Sequence, residues 1–100
     1  MALSDLIPPG GVAADLSATS RKQALHQLCD LAERTLHVSG RATLDAVAER
    51  ERLGSTGVGD GVAIPHARTD QVDRVCGVFA RLKQAVDFDA VDGRPADLVF

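Results

Sequence analysis

Along the stretch from Leu25 to Leu36 the apolar positions Leu25, Leu28, Cys29, Ala32 and Leu36 recur at three- and four-residue spacing, separated mostly by polar side chains. That period lays one apolar stripe along a helix. Ser20-Arg21-Lys22-Gln23 precedes the stripe in the form of a capping box, in which hydroxyl and amide side chains satisfy free backbone donors reciprocally, so the helix is expected to begin here. The stripe fades towards His37 and Gly40. A second helix is expected over Gly40 to Arg52, with Ser39 or Thr43 as its N-cap, Leu44, Val47 and Ala48 inward, and Gly54 just beyond its end.

Past Gly54 the pattern shortens. Val62 to Ile64 is a short apolar run fit for a buried strand, and Val75 to Leu82 is a longer one. Val86, Phe88 and Ala90 alternate with Asp87 and Asp89, the period of a half-exposed strand, before Asp92-Gly93 supplies a turn. Ala96-Asp97-Leu98-Val99-Phe100 reads as a further strand start. Pro8-Pro9-Gly10-Gly11 marks the beginning of the chain as irregular. Two helices followed by strands predict an α/β domain built around a mixed sheet, with no internal repeat or low-complexity segment.

Composition narrows the class. One hundred residues, 45% hydrophobic and 25% charged, suit one globular unit with a single core. No apolar run is long enough to span a bilayer, and Met1 to Gly11 lacks the charged and apolar regions of a signal peptide, so the expected location is the cytoplasm. A net charge of −3, with three Phe and no Tyr or Trp, leaves neither a basic footprint nor stacking platforms for nucleic acid. Cys29 and Cys76 lie far apart in a chain without secretory features, which predicts two reduced, buried thiols.

Candidate chemistry concentrates in Gly54-Ser55-Thr56-Gly57-Val58-Gly59-Asp60-Gly61-Val62-Ala63-Ile64-Pro65-His66. Four of the nine glycines fall in its first eight residues, so backbone N–H groups can approach an anion. Pro65 fixes its own φ and biases Ile64 to an extended conformation, which should present His66 from a rigid strand end. Dinucleotide and P-loop folds feed a strand into the glycine loop and a helix out of it. Here a helical pattern leads in and a strand pattern leads out, and no Lys-Ser or Lys-Thr pair closes the loop, which argues against both devices.

Two readings of His66 then stand. A neutral imidazole keeps one ring nitrogen free, is a good nucleophile near neutral pH and can take a phosphoryl group covalently. Phosphoryl transfer asks the protein for positioning and for charge stabilisation, which Ser55, Thr56, the glycine amides, Arg50 and Arg68 are of the right kind to supply. Alternatively, His66 is a hydrogen-bonded histidine at a strand end and the loop a tight connection.

The stretch Arg50-Glu51-Arg52-Leu53-Gly54-Ser55-Thr56-Gly57-Val58-Gly59-Asp60-Gly61-Val62-Ala63-Ile64-Pro65-His66-Ala67-Arg68 resembles the active-site signature of the fructose/mannitol-type (type-2) IIA domains of the bacterial phosphoenolpyruvate-dependent phosphotransferase system. With Val86-Asp87-Phe88-Asp89-Ala90-Val91-Asp92-Gly93 and Ala96-Asp97-Leu98-Val99-Phe100, the resemblance is nearest the nitrogen-regulatory branch, EIIA-Ntr. It covers nearly the whole chain and is weakest before Ser17. The resemblance implies an α/β sandwich with a mixed sheet flanked by helices. It implies His66 as the phosphoryl acceptor, charged by the phosphohistidine of an HPr-like carrier (NPr), with Arg50 beside it. Ser55, Thr56, Gly57 and Gly59 would line the phosphate site, and Glu51 would have at most an orienting role. No cofactor or metal is implied.

Two functions follow from that resemblance. One is a regulatory module whose phosphorylation at His66 changes its binding to targets such as potassium transporters or sensor kinases. The other is the IIA component of a sugar-uptake phosphotransferase system, passing phosphate to a IIB domain. Absence of fused IIB or membrane-spanning IIC sequence favours the regulatory role.

Domains of this family run to about 150 residues, a usual single-domain size. The expectation is therefore that residues 1–100 are the N-terminal two thirds of such a domain, C-terminally truncated. The remaining third would hold further strand, helices and a second histidine whose place neither His26 nor His37 takes. One sheet face would then lack its helical cover, and self-association is expected to shield it.

The other polar residues read more simply. His26 and Cys29 sit one helical turn apart, but two ligands fall short of the four of a structural zinc site. Asp87, Asp89 and Asp92 read as a solvated strand face, and Cys76 as a buried thiol within an apolar run.

Overall fold

The structure, a computed structural model, describes residues 5–100. Residues 1–4, part of the segment read above for signal-peptide features, lie outside the described residues. The chain runs β1 (Val12–Leu16), α1 (Arg21–Leu36), α2 (Gly40–Leu53), β2 (Gly57–Gly59), β3 (Val62–Ala63), β4 (Phe79–Val86) and β5 (Ala96–Val99). The five strands form one sheet in the order β1-β4-β5-β3-β2. β1 pairs parallel to β4 and β3 parallel to β5, while β4–β5 and β2–β3 are antiparallel. The mixed sheet of the sequence reading is present.

Both helices start where their side chains dictate. Ser20 is extended and its hydroxyl accepts the Gln23 N–H at 3.2 Å, while Gln23 Oε1 takes the N–H of Thr19, one residue earlier than a standard capping box, together with the Thr19 hydroxyl. Ser39, not Thr43, caps α2 through the Ala42 N–H. His37 ends α1 in the left-handed region at φ 59°. α1 buries Ala24, Leu25, Leu28, Cys29, Leu31 and Ala32, packing against α2 and β4. Each such leucine contributes roughly 1.5–3 kcal/mol of transfer free energy.

The strands depart from the sequence reading in three places. β1 falls in the segment expected to be irregular; it is an edge strand whose Val12 is 61% exposed, and a bulge separates its two stretches of register with β4. Asp15 within that bulge has φ 60°. Such a strand lacks the alternation that signals burial. The long central strand is displaced: β4 starts at Phe79, not Val75, and runs through Lys83 to Val86, leaving Val75 to Val78 irregular. Phe88 and Ala90 lie past the strand end, though burial still alternates there, Phe88 being fully buried between exposed Asp87 and Asp89.

The third difference concerns the glycine segment, which is a hairpin more than a loop. β2 and β3 are joined by Asp60 and Gly61, at φ 56° and 79°. Positive φ at both central residues is the geometry that matches strand twist in a two-residue hairpin, and Asp-Gly is a favoured pair for it. Among the described residues no helix is long and apolar enough to cross a membrane.

Candidate functional site

His66 lies three residues beyond the end of β3 in an irregular segment, not at the strand end itself, and it is exposed. Its ring is nonetheless held. Nδ1 is 2.9 Å from the Ile64 carbonyl oxygen. A carbonyl can only accept, so this contact requires the proton on Nδ1 and leaves Nε2 of the neutral ring with a bare lone pair. Ile64 is itself tied back, its N–H donating to the Thr56 carbonyl at 2.9 Å. Two hydrogen bonds therefore connect the imidazole to the segment between α2 and β2.

The sequence candidates divide by what their polar groups already do. The Thr56 hydroxyl is buried and donates to Glu51 Oε1. The Ser55 hydroxyl donates to the Phe88 carbonyl and accepts the Gly57 N–H at 2.9 Å. Arg50 donates to the Gly54 carbonyl at 2.8 Å, closing the last turn of α2. Gly57 stands opposite Ala63 at the end of the hairpin that leads to His66, whereas Gly59 stands opposite Val62 at the turn end. A Cβ at Gly57 would lie 3.0 Å from that of Ala90, so its small size serves close packing. At Gly59, with φ 95°, the backbone itself calls for glycine.

Glu51 is the least expected member. It is only 8% exposed, and besides the Thr56 hydroxyl it holds Arg21 Nη1, 3.4 Å from Oε2. Arg21 also pairs with Asp89, and its guanidinium carbon stands 5.8 Å from the centre of the Phe88 ring. A buried carboxylate requires such partners, because desolvation alone would cost several kcal/mol. Arg21 and Asp89 were missed as site neighbours because they are 68 positions apart and join only through the folded chain.

His66, Arg68 and Thr69 line a groove of about 700 Å³, whose apolar wall includes Leu28, Leu36, Val47, Val72 and Phe100. Cys29 and Cys76 line it too, both as free thiols. Cys76 is half-buried outside any strand, more accessible than its apolar neighbours suggested. Burial, and secondarily the charge of Asp30, pushes the Cys29 thiol up to about 11. His26 points outward to Asp30 at 3.3 Å, while Cys29 faces the core.

Asp92, read as part of a solvated strand face, instead serves the hairpin. Its carboxylate accepts the N–H groups of Asp60 at 2.9 Å and Arg94 at 3.0 Å. Those two bonds, that from Asp60 first, hold its pKa below the ordinary aspartate value.

Comparison with known proteins identifies the family and the fold. The nitrogen regulatory protein of Bradyrhizobium diazoefficiens is 41% identical over 100 residues, covering all of this chain and 65% of that protein. The fructose-specific EIIA component of Haloferax volcanii is 40% identical over 99 residues, covering 98% of this chain and 64% of that protein. The crystal structure of nitrogen regulatory protein IIA-Ntr from Neisseria meningitidis superposes with a TM-score of 0.89 at 37% identity, covering 98% of this chain and 67% of that one. The chain thus spans 64–65% of the length of these two sequence relatives. The family model described as "Phosphoenolpyruvate-dependent sugar phosphotransferase system, EIIA 2" matches residues 5–100, and the chain belongs to that family.

Proposed function

We propose that the chain works as the phosphoryl-accepting part of a regulatory IIA protein of the nitrogen type, with His66 as the acceptor. The observation that carries this reading is the His66 ring itself, exposed, with Nδ1 against a carbonyl and Nε2 bare. Nε2 attacks the phosphorus of a phosphohistidine on an HPr-like carrier (NPr). The new Nε2–P bond forms as the carrier's P–N bond breaks, and that electron pair stays with the carrier's imidazole. The product ring carries positive charge for as long as Nδ1 keeps its proton, and the Ile64 carbonyl stabilises that charge. Arg68, which lines the groove with His66, and Arg50, at the end of α2 once it leaves the Gly54 carbonyl, are cations suited to the phosphoryl oxygens. The phosphorylated form then differs from the free form in charge on one rim of an apolar groove, which suits a switch in partner binding.

The test is transfer of label from phosphoenolpyruvate through Enzyme I and the carrier. Label is expected on the parent chain and absent from His66→Ala; label surviving in the alanine variant removes His66 as the acceptor. A second reading is favoured by the 40% identity to the Haloferax fructose-specific component: the phosphoryl group passes on to a IIB domain for sugar uptake. Onward transfer to a fructose-type IIB domain supports it, and retention of label on His66 in the presence of that domain supports the regulatory reading.

A further inference from the structure

The strongest unassigned feature is a continuous line of polar contacts from the start of α1 to the His66 ring. Arg21 Nη1 meets Glu51 Oε2, Glu51 Oε1 accepts the Thr56 hydroxyl, the Thr56 carbonyl accepts the Ile64 N–H, and the Ile64 carbonyl accepts His66 Nδ1–H. Each group in the line does one job that its neighbour requires. Glu51 has both carboxylate oxygens engaged, and its side chain is 5% exposed, so its partners are not exchangeable for water. Thr56 is equally buried and is fixed on both its side chain and its main chain. Ile64 precedes Pro65, which has no N–H and restricts the turn that carries the imidazole back to the Ile64 carbonyl.

We infer that Glu51 is a positioning residue for His66: through the Thr56 hydroxyl it sets the height of the Thr56–Ile64 contact, and through it the Nδ1–H tautomer that aims Nε2 outward. The inference rests on the reading of His66 as phosphoryl acceptor only for its catalytic consequence. The tautomer is a property of the resting protein. Arg21 supports Glu51 by neutralising it, and Asp89 with the Phe88 ring holds Arg21 in turn. Without Glu51 the Thr56 hydroxyl is left buried and unpaired, and Thr56 loses its side-chain anchor to α2, while Gly54 keeps its own through Arg50.

The test compares the parent with Glu51→Ala, Glu51→Gln, Thr56→Val and Thr56→Ser. The primary readout is the His66 ring tautomer, measured by long-range proton–nitrogen correlation at alkaline pH, where imidazoles are neutral. Glu51→Ala and Thr56→Val should raise the fraction of ring carrying its proton on Nε2. Glu51→Gln keeps an acceptor for Thr56, and Thr56→Ser keeps the hydroxyl; both should retain the parent tautomer. In the transfer assay the two disruptive variants should lose roughly tenfold to a hundredfold in kcat with little change in KM for the carrier. A parent-like tautomer in a folded Glu51→Ala or Thr56→Val chain overturns the inference. If Glu51→Ala fails to fold, the smaller change at Thr56 decides. Failure of the parent to take label would sink the acceptor reading, while the tautomer comparison would still judge the role of Glu51.

Discussion

At the residue scale, the environment of a group decides its chemistry more than its type does, and the two cysteines show it within one groove. Cys29 is on the inward face of α1 and its thiol is held at about 11 by burial and by Asp30, against 9.0 for the free group. Only the thiolate is an efficient nucleophile, so Cys29 should be inert in the folded protein. Cys76, in the irregular segment before β4, is half-buried. Titration with a chromogenic disulfide at mildly alkaline pH should count one fast thiol per native chain and two in denaturant, and Cys76→Ser should remove the fast one. Two fast thiols in the native protein would place Cys29 outside the core. The sign of the linkage is also determined: a folded value above the unfolded one means the unfolded chain gives up its proton first. Stability should therefore fall as pH rises from 9.0 towards about 11. Cys29→Ala should flatten that slope.

At the scale of elements, local signals worked where an element carries its own start and stop. Ser20 caps α1 as read and Ser39, one of the two candidates, caps α2, because a side chain three residues from its target needs nothing from the rest of the fold. β1 escaped because its pairing partners on β4 are 66 or 67 positions away and its exposed Val12 and left-handed Asp15 blur any alternation. The β2–β3 hairpin was legible in Asp60-Gly61 but was masked by the surrounding glycines, which invite a loop reading. What keeps this hairpin in place comes from outside it: β3 pairs with β5, and at the turn the Asp92 carboxylate accepts the Asp60 N–H. Because that carboxylate is held below 3.8, it supports the hairpin above the unfolded aspartate pKa, and the support disappears as pH falls through the folded value. Hydrogen exchange should show the Asp60 amide protected near neutral pH and losing relative protection on acidification. Asp92→Ala should remove most of that protection at neutral pH, and an unchanged rate would mean the contact contributes nothing to the hairpin.

At the scale of the whole molecule, the sheet order β1-β4-β5-β3-β2 interleaves early and late strands, so no window of sequence contains the information for it. The glycine and Pro-His signature marked the candidate site in the sequence, and Phe88 shows how the fold supports that segment. Phe88 lies beyond the end of β4, is fully buried, and is the largest such side chain together with Val99. Its carbonyl accepts the Ser55 hydroxyl, its ring lies under Arg21, and its Cβ would be 3.2 Å from a Cβ at Gly57. One residue therefore joins the core to both sides of the segment that carries Ser55, Thr56 and Gly57. Removing a buried phenyl ring costs about 3–5 kcal/mol through lost transfer energy and the cavity left behind. That is a large share of the roughly 5–15 kcal/mol that holds a typical domain folded. Phe88→Ala should lower the unfolding free energy by about 3–5 kcal/mol, seen as a lower urea midpoint at unchanged slope, whereas Val91→Ala, at a 99% exposed position, should change that free energy by less than about 0.5 kcal/mol. Equal midpoints for the two variants would show that the loop after β4 is not part of the core, and with it would go the structural reason for the position of the His66 hairpin.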